Sequence, residues 1–156
     1  MNGRWPALVL IIAAVAAGGG MWYAQEYAYY DELDPATVAL TATVADQSVP
    51  LAVTDLRAID ADSSPIRWRA CFRLSAPLPA GITPFDKPEP SFAPGWFDCF
   101  QADQIGADLE SGAATAYLSQ PEIHPDVDRV IAVYPDGRAY GWHQINDKTP
   151  ERGVMD

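Results

Sequence analysis

An unbroken uncharged run near the amino terminus constrains this chain more than any other feature. Between Trp5 and Tyr23 there are 19 residues without a charged side chain, "WPALVLIIAAVAAGGGMWY". As a helix rising 1.5 Å per residue the run spans about 28 Å, close to the ~30 Å hydrocarbon core of a bilayer. Pro6 suits a first helical turn. Arg4 precedes the run. Trp22, Tyr23, Tyr27, Tyr29 and Tyr30 close it as an interfacial aromatic belt, and Glu26, Asp31, Glu32 and Asp34 lie beyond. The positive-inside rule then places residues 1–4 in the cytoplasm, a transmembrane helix over 5–23 and everything after it outside. This predicts a single-pass protein of a bacterial inner membrane with a periplasmic domain. A cleaved signal peptide is the rival, because Ala14-Val15-Ala16 has the form of a cleavage site. The aromatic belt favours the anchor, since a signal peptide has no use for one. Ala14 with Gly18, and Ala16 with Gly20, form small-xxx-small pairs that permit close approach of another helix in the membrane.

The remainder is long enough for one domain with a core. The whole chain has 156 residues, of which 49 % are hydrophobic. Ten Lys and Arg stand against 21 Asp and Glu, a formal net charge of −11. That balance argues against binding nucleic acid or anionic lipid headgroups, whose phosphates require cations. It favours a cationic protein partner, with attraction that salt weakens.

Hydropathy patterning predicts an α+β domain over residues 36–147, mainly antiparallel β with one short helix, behind a helical juxtamembrane stem over 24–35. Val38, Leu40, Ala42 and Val44 alternate as a half-buried strand, and "VPLAVTD" is a second short strand. "IRWRACFRL", residues 66–74, alternates most cleanly. Ile66, Trp68, Ala70, Phe72 and Leu74 share one side, and Arg67, Arg69, Cys71 and Arg73 share the other, expected to be an open sheet face. Six prolines between Pro77 and Pro94 predict a long extended loop. "DCFQADQIGADLESG" predicts a helix capped by Asp98, with Gln101 completing a capping box and Gly112 ending it. "AATAYLS", "DRVIAVY" and "AYGWHQI" are strands, the last two joined by a turn at Pro135-Asp136-Gly137-Arg138, for about six strands in all. Residues 148–156 are expected to be a flexible tail, with polar character beginning at Asn146.

The cysteines and arginines carry the candidate chemistry. Two cysteines, Cys71 and Cys99, in an exported domain point to a disulfide, with small buried thiols as the alternative. A bridge would tie the proline-rich loop to the sheet. Arg67, Arg69 and Arg73 admit three readings: charge balance with acids such as Asp55, Asp60, Asp62 and Asp98; an anion-binding site, since guanidinium groups converge well on carboxylate or phosphate; or activation of a free Cys71 thiolate. The first is expected. His124 and His143 with the cysteines match no zinc spacing, so neither metal nor other cofactor is expected. A hydrolase triad lacks a local signature. The pairs Asp60/Asp62 and Asp126/Asp128 are expected to be solvated loop charges, and no nucleotide-binding motif occurs.

"DADSSPIRWRACF", "YPDGRAYGWHQIN" and the "MNG" start with its single span together resemble a family of short single-span bacterial membrane proteins of no assigned function. The resemblance covers nearly the whole chain. It implies a small anchored domain and brings with it no catalytic or binding residues. The expected function is therefore that of a non-catalytic, membrane-anchored periplasmic accessory domain with a protein partner at or in the inner membrane. Two alternatives stand beside it: a sensor of an anionic small molecule through Arg67, Arg69 and Arg73, and a small thiol-dependent or hydrolytic enzyme.

Overall fold

The computed structural model describes residues 3–148. A long helix, α1 (Arg4–Tyr23), runs on through a π-helical turn, Ala24–Ala28. The helix is expected from the apolar run, and no residue of it is buried. Together the two form one 25-residue segment, Arg4–Ala28, long and apolar enough to cross a membrane.

The domain that follows is α+β, as the patterning predicted. Among the described residues eight strands are formed: β1 (Asp31–Leu33), β2 (Thr41–Val44), β3 (Gln47–Pro50), β4 (Val53–Asp60), β5 (Arg69–Leu74), β6 (Thr115–His124), β7 (Val127–Val133) and β8 (Arg138–Ile145). One helix, α2 (Ala102–Ser111), separates β5 from β6. Six strands make an antiparallel sheet in the order β1-β4-β5-β8-β7-β6, and β2 and β3 make a separate hairpin.

The sheet is covered on both faces, giving three layers. On one face Ile59, Cys71, Val130, Ala132 and Trp142 pack with Phe97, Phe100, Ala102 and Ile105, contributed by α2 and the end of the proline-rich segment. On the other, Ala58, Trp68, Ala70, Phe72, Ile131 and Ala139 pack with Leu40, Leu51 and Leu78 around the β2–β3 hairpin. Interior β7, flanked by β8 and β6, is accordingly buried along nearly its whole length rather than at alternate positions. Gly141 on β8 lets the layers close: a Cβ there would stand 2.8 Å from the Trp68 ring. The segment Ile82–Phe85 joins the layers at the sheet edge. Thr83 N–H donates to Thr43 O, Leu118 N–H to Thr83 O and Phe85 N–H to Ala116 O, so β6 does not present a bare edge there.

Several expectations are corrected. The stem is not helical throughout: after the π turn, β1 adds to the sheet, pairing Asp31, Glu32 and Leu33 with Asp60, Ile59 and Ala58. Backbone pairing along the free side of β4 wins over the weak local helix signal. The strand expected from Val38 begins only at Thr41, and "VPLAVTD" divides between β3 and β4, because Pro50 ends a ladder it cannot donate to. The β2–β3 turn uses Ala45 and Asp46 at φ 47° and 63°, a two-residue hairpin without glycine and hence without its sequence signal. Helix α2 starts at Ala102, and neither Asp98 nor Gln101 caps it by its side chain. Asp98 is taken by Arg57 instead, at 3.0 Å. Gly112 does end the helix, in the left-handed conformation. The expected turn after Tyr134 is present, with Gly137 at φ 86°. Asn146 is not loose: it is buried, and its side-chain amide donates to Asp128 and Glu122. Beyond Lys148, the expected tail lies outside the described residues.

Candidate functional site

The face of β5 that carries Arg69 and Cys71 is covered, not open, and both residues fasten its cover. The Cys71 and Cys99 sulfurs are bonded. The bridge fixes the end of the proline-rich segment to the centre of the sheet. Two residues earlier on the same side, Arg69 is 3 % exposed and clamps the later part of that segment. Its Nε donates to Ser91 O at 2.8 Å and its Nη2 to Phe92 O at 3.2 Å. Its Nη1 donates to Ile66 O and Trp68 O, both at 2.7 Å. Burial brings the guanidinium down to about 10, so it remains a cation at neutral pH. Among the described residues it has no ion-pair partner; four carbonyl dipoles replace its water.

The other two arginines lie apart. Arg73 is exposed, and its guanidinium reaches Asp136 O at 3.4 Å. Arg67 is half-buried, with its guanidinium 5.4 Å from the centre of the Tyr30 ring. None of the three forms an ion pair with a described acid, so the expected charge balance is corrected; Arg57 is the cation that pairs with Asp98.

Arg67 and Arg69 both border a cleft of about 430 Å³ where α1 meets the domain, also lined by Glu26, Tyr30, Ser64 and Phe92. This elbow is held by specific bonds. Gly95 N–H donates to the Glu26 carboxylate, and Trp96 Nε1 donates to Glu26 O at 2.6 Å. The apolar helix is therefore joined to the domain through the π turn, β1 and the proline-rich segment, and not through a slack linker.

A family model described as a family of unknown function (DUF6446) matches residues 38–152. The chain belongs to this family. No curated protein matches it, and neither does any solved structure. The DUF6446 match takes in β2 to β8 with α2, including Arg67, Arg69, Cys71 and Cys99, while α1 and the elbow turn lie before it.

The other sequence candidates of this DUF6446 chain resolve into structural roles or stay apart. His143 is buried, and Trp68 stacks on it with ring centres 5.0 Å apart. Arg129 Nε donates to its Nε2 at 3.0 Å, which leaves Nδ1 to donate to Pro65 O at 2.9 Å. Burial, with Arg129 beside it, holds the imidazole neutral, down at about 3. The Arg129 guanidinium lies 4.0 Å from the centre of the Trp68 ring. His124 is exposed, and its ring centre is 5.8 Å from that of His143. Asp128, expected to be a solvated loop charge, is buried and accepts from Glu122 N–H and Asn146. Asp62 and Asp126 are exposed, as expected. Burial raises the pKa of Asp60, against a hydrogen bond from Ala61 N–H. Among the described residues no cluster of three or more His, Cys, Asp or Glu is placed to hold a metal. Ala14, Ala16, Gly18 and Gly20 are all exposed on α1. Sequence reasoning missed Arg129 and Glu26; a lone arginine in a strand and an acid within an aromatic belt carry no local signal for the contacts they make.

Proposed function

We propose that this protein is a membrane-anchored accessory domain that acts by binding rather than catalysis, with α1 retained as a span, Arg4 on the cytoplasmic side and the domain in the periplasm of a bacterial cell. The observation that carries the reading is the ordered elbow. A fully exposed apolar helix is fastened to the domain by Glu26, Trp96 and Tyr30. Such a joint holds the head at a set height and orientation over the bilayer, which favours a partner that is itself in or at the membrane. The Ala14/Gly18 and Ala16/Gly20 pairs supply the contact within the membrane. The acidic head supplies attraction to a cationic surface.

The test is extraction in mild detergent followed by co-purification. A partner retained by the native chain and lost with Gly18→Leu or Gly20→Leu supports the reading. Protease added to spheroplasts should digest the head; a protected head, or a head released into the soluble fraction after cleavage before Ala24, would refute the topology. A second reading, recognition of an anion, is supported by Arg67, which faces the elbow cleft without an ion pair among the described residues.

A further inference from the structure

We propose that the elbow cleft is a phosphate-oxyanion site at headgroup level, with Arg67 as its cation, and that its occupant is the phosphodiester of an anionic phospholipid. The inference rests on the reading of α1 as a retained span.

Position is the first argument. Glu26 and Tyr30 line the cleft and follow the apolar run by only three and seven residues. The headgroup layer extends about 5–8 Å beyond the hydrocarbon on each side. A cleft that begins one helical turn past Tyr23 opens into that layer. Exposed Trp22, Tyr23, Tyr27 and Tyr29 mark the same level. Phe92, on the domain side of the cleft, is 71 % exposed, the profile of a side chain that dips into the acyl boundary.

Chemistry is the second. Of the charged residues lining the cleft, Arg67 and Arg69 outweigh Glu26, a formal +1 in a chain of −11. Arg69 is not the ligand, since its donors serve four carbonyls. Its buried charge adds a fixed positive potential. The Glu26 carboxylate accepts from Gly95 N–H and so is partly committed to the elbow. The Arg67 guanidinium makes no hydrogen bond or ion pair among the described residues and rests against Tyr30. Its planar fork of donors suits two phosphate oxygens. Ser64, which also lines the cleft, supplies a hydroxyl. A monoanion matches the local excess of one positive charge; a nucleic acid or polyanion would meet the acidic remainder of the surface.

The experiment uses the full chain in a zwitterionic detergent, with native mass spectrometry counting retained lipid as phosphatidylglycerol or phosphatidylcholine is titrated in. A basic side chain at an anionic surface is worth about a fivefold preference. Retention of phosphatidylglycerol should therefore exceed that of phosphatidylcholine roughly fivefold. Arg67→Gln should abolish the preference, and Arg67→Lys should keep part of it. Arg73→Gln, with the same charge change within β5 and away from the cleft, should leave it intact. A parallel arm adds inorganic phosphate at millimolar level. Displacement of lipid by phosphate, dependent on Arg67, supports the oxyanion site and makes the free anion its source. Lipid preference without displacement assigns the headgroup. Equal retention of the two lipids with no phosphate effect, or equal losses in Arg67→Gln and Arg73→Gln, overturns the proposal. Alkaline extraction of membranes carrying the same variants reports on the span separately: a chain that stays in the pellet yet shows no anion preference sinks the site and leaves the anchor standing.

Discussion

Acid should weaken this fold through one buried imidazole, well above the pH at which its carboxylates protonate. His143 is 1 % exposed, and burial holds it down at about 3, against about 6.5 in an unfolded chain. Because the folded value is the lower one, the unfolded chain takes up a proton below pH 6.5 and the folded chain does not. Stability is therefore complete above 6.5 and falls as pH drops towards 3, by about 1.4 kcal/mol per unit. From pH 6.5 to 5 the loss is roughly 2 kcal/mol. Asp60 acts in the opposite sense, since burial raises its folded value and acid favours its protonated form, so 2 kcal/mol is the upper figure. Asp98, Glu122 and Asp136 are lowered by hydrogen bonds from Arg57, Asn146 and Arg138 respectively. Their stabilisation is lost only below their ordinary 3.8 to 4.5, under the chosen window. For a domain of this size the midpoint should fall by about 6–10 °C between pH 7 and 5. Circular-dichroism melting of the detergent-solubilised chain reads this. His143→Gln offers an amide to both Pro65 O and Arg129 yet cannot titrate, so its midpoint should barely move between the two pH values. An equal fall in His143→Gln, or none in the native chain, would refute a buried neutral imidazole as the source.

Three further outcomes follow from the packing. Reduction of the Cys71–Cys99 bridge, or Cys99→Ser, should cost about 3.5 kcal/mol in the chain-entropy model for a 28-residue separation, read as a lower melting midpoint and faster proteolysis within residues 75–101. Arg69→Met keeps the stem but strands the carbonyls of Ser91 and Phe92, and should destabilise by about 3 kcal/mol in the same melt. Gly141→Ala drives a methyl against the Trp68 ring and should cost about 1–3 kcal/mol, with the near-ultraviolet tryptophan signal altered; an unchanged spectrum and midpoint would mean the two layers are not in contact there.

What the sequence disclosed followed from periodicity and composition. The uncharged run was legible because nineteen residues without a charge have few other uses. Strands β5, β7 and β8 were legible because β-branched and aromatic residues cluster between turn signals. The glycine turns at Gly112 and Gly137 were legible because only a left-handed position needs them. Elements set by distant partners stayed hidden. β1 has only three residues, and β4 makes it a strand. The β2–β3 turn places Ala45 and Asp46 at positive φ, which no local rule anticipates. Alternation in β5 was real, but its assignment of solvent to the arginine side failed. Period two tells which side chains share a face, and not whether a later segment returns to cover it.

The arginines beside Cys71 make sense once that covering segment is considered as chemistry. Each proline removes an N–H and leaves its carbonyl, so the stretch from Pro77 to Pro94 has more acceptors than donors. Such a segment cannot satisfy itself when it is laid across a sheet, because each buried carbonyl without a partner costs free energy. It needs a side chain with many donors and no acceptor, and arginine with its five N–H groups is that side chain. Arg69 fills the role from the start of β5, and Cys71, two residues on, secures the segment's far end covalently. The same fastening presents Phe92 and Pro94 to the elbow cleft and puts Gly95 and Trp96 in reach of Glu26. Disulfide, buried cation and the joint at Glu26 are thus one mechanical path from the centre of the sheet to α1. Loss of Arg69 or of the bridge should therefore loosen the elbow as well as the domain, and Arg67 should lose its place over Tyr30 before β5 itself gives way.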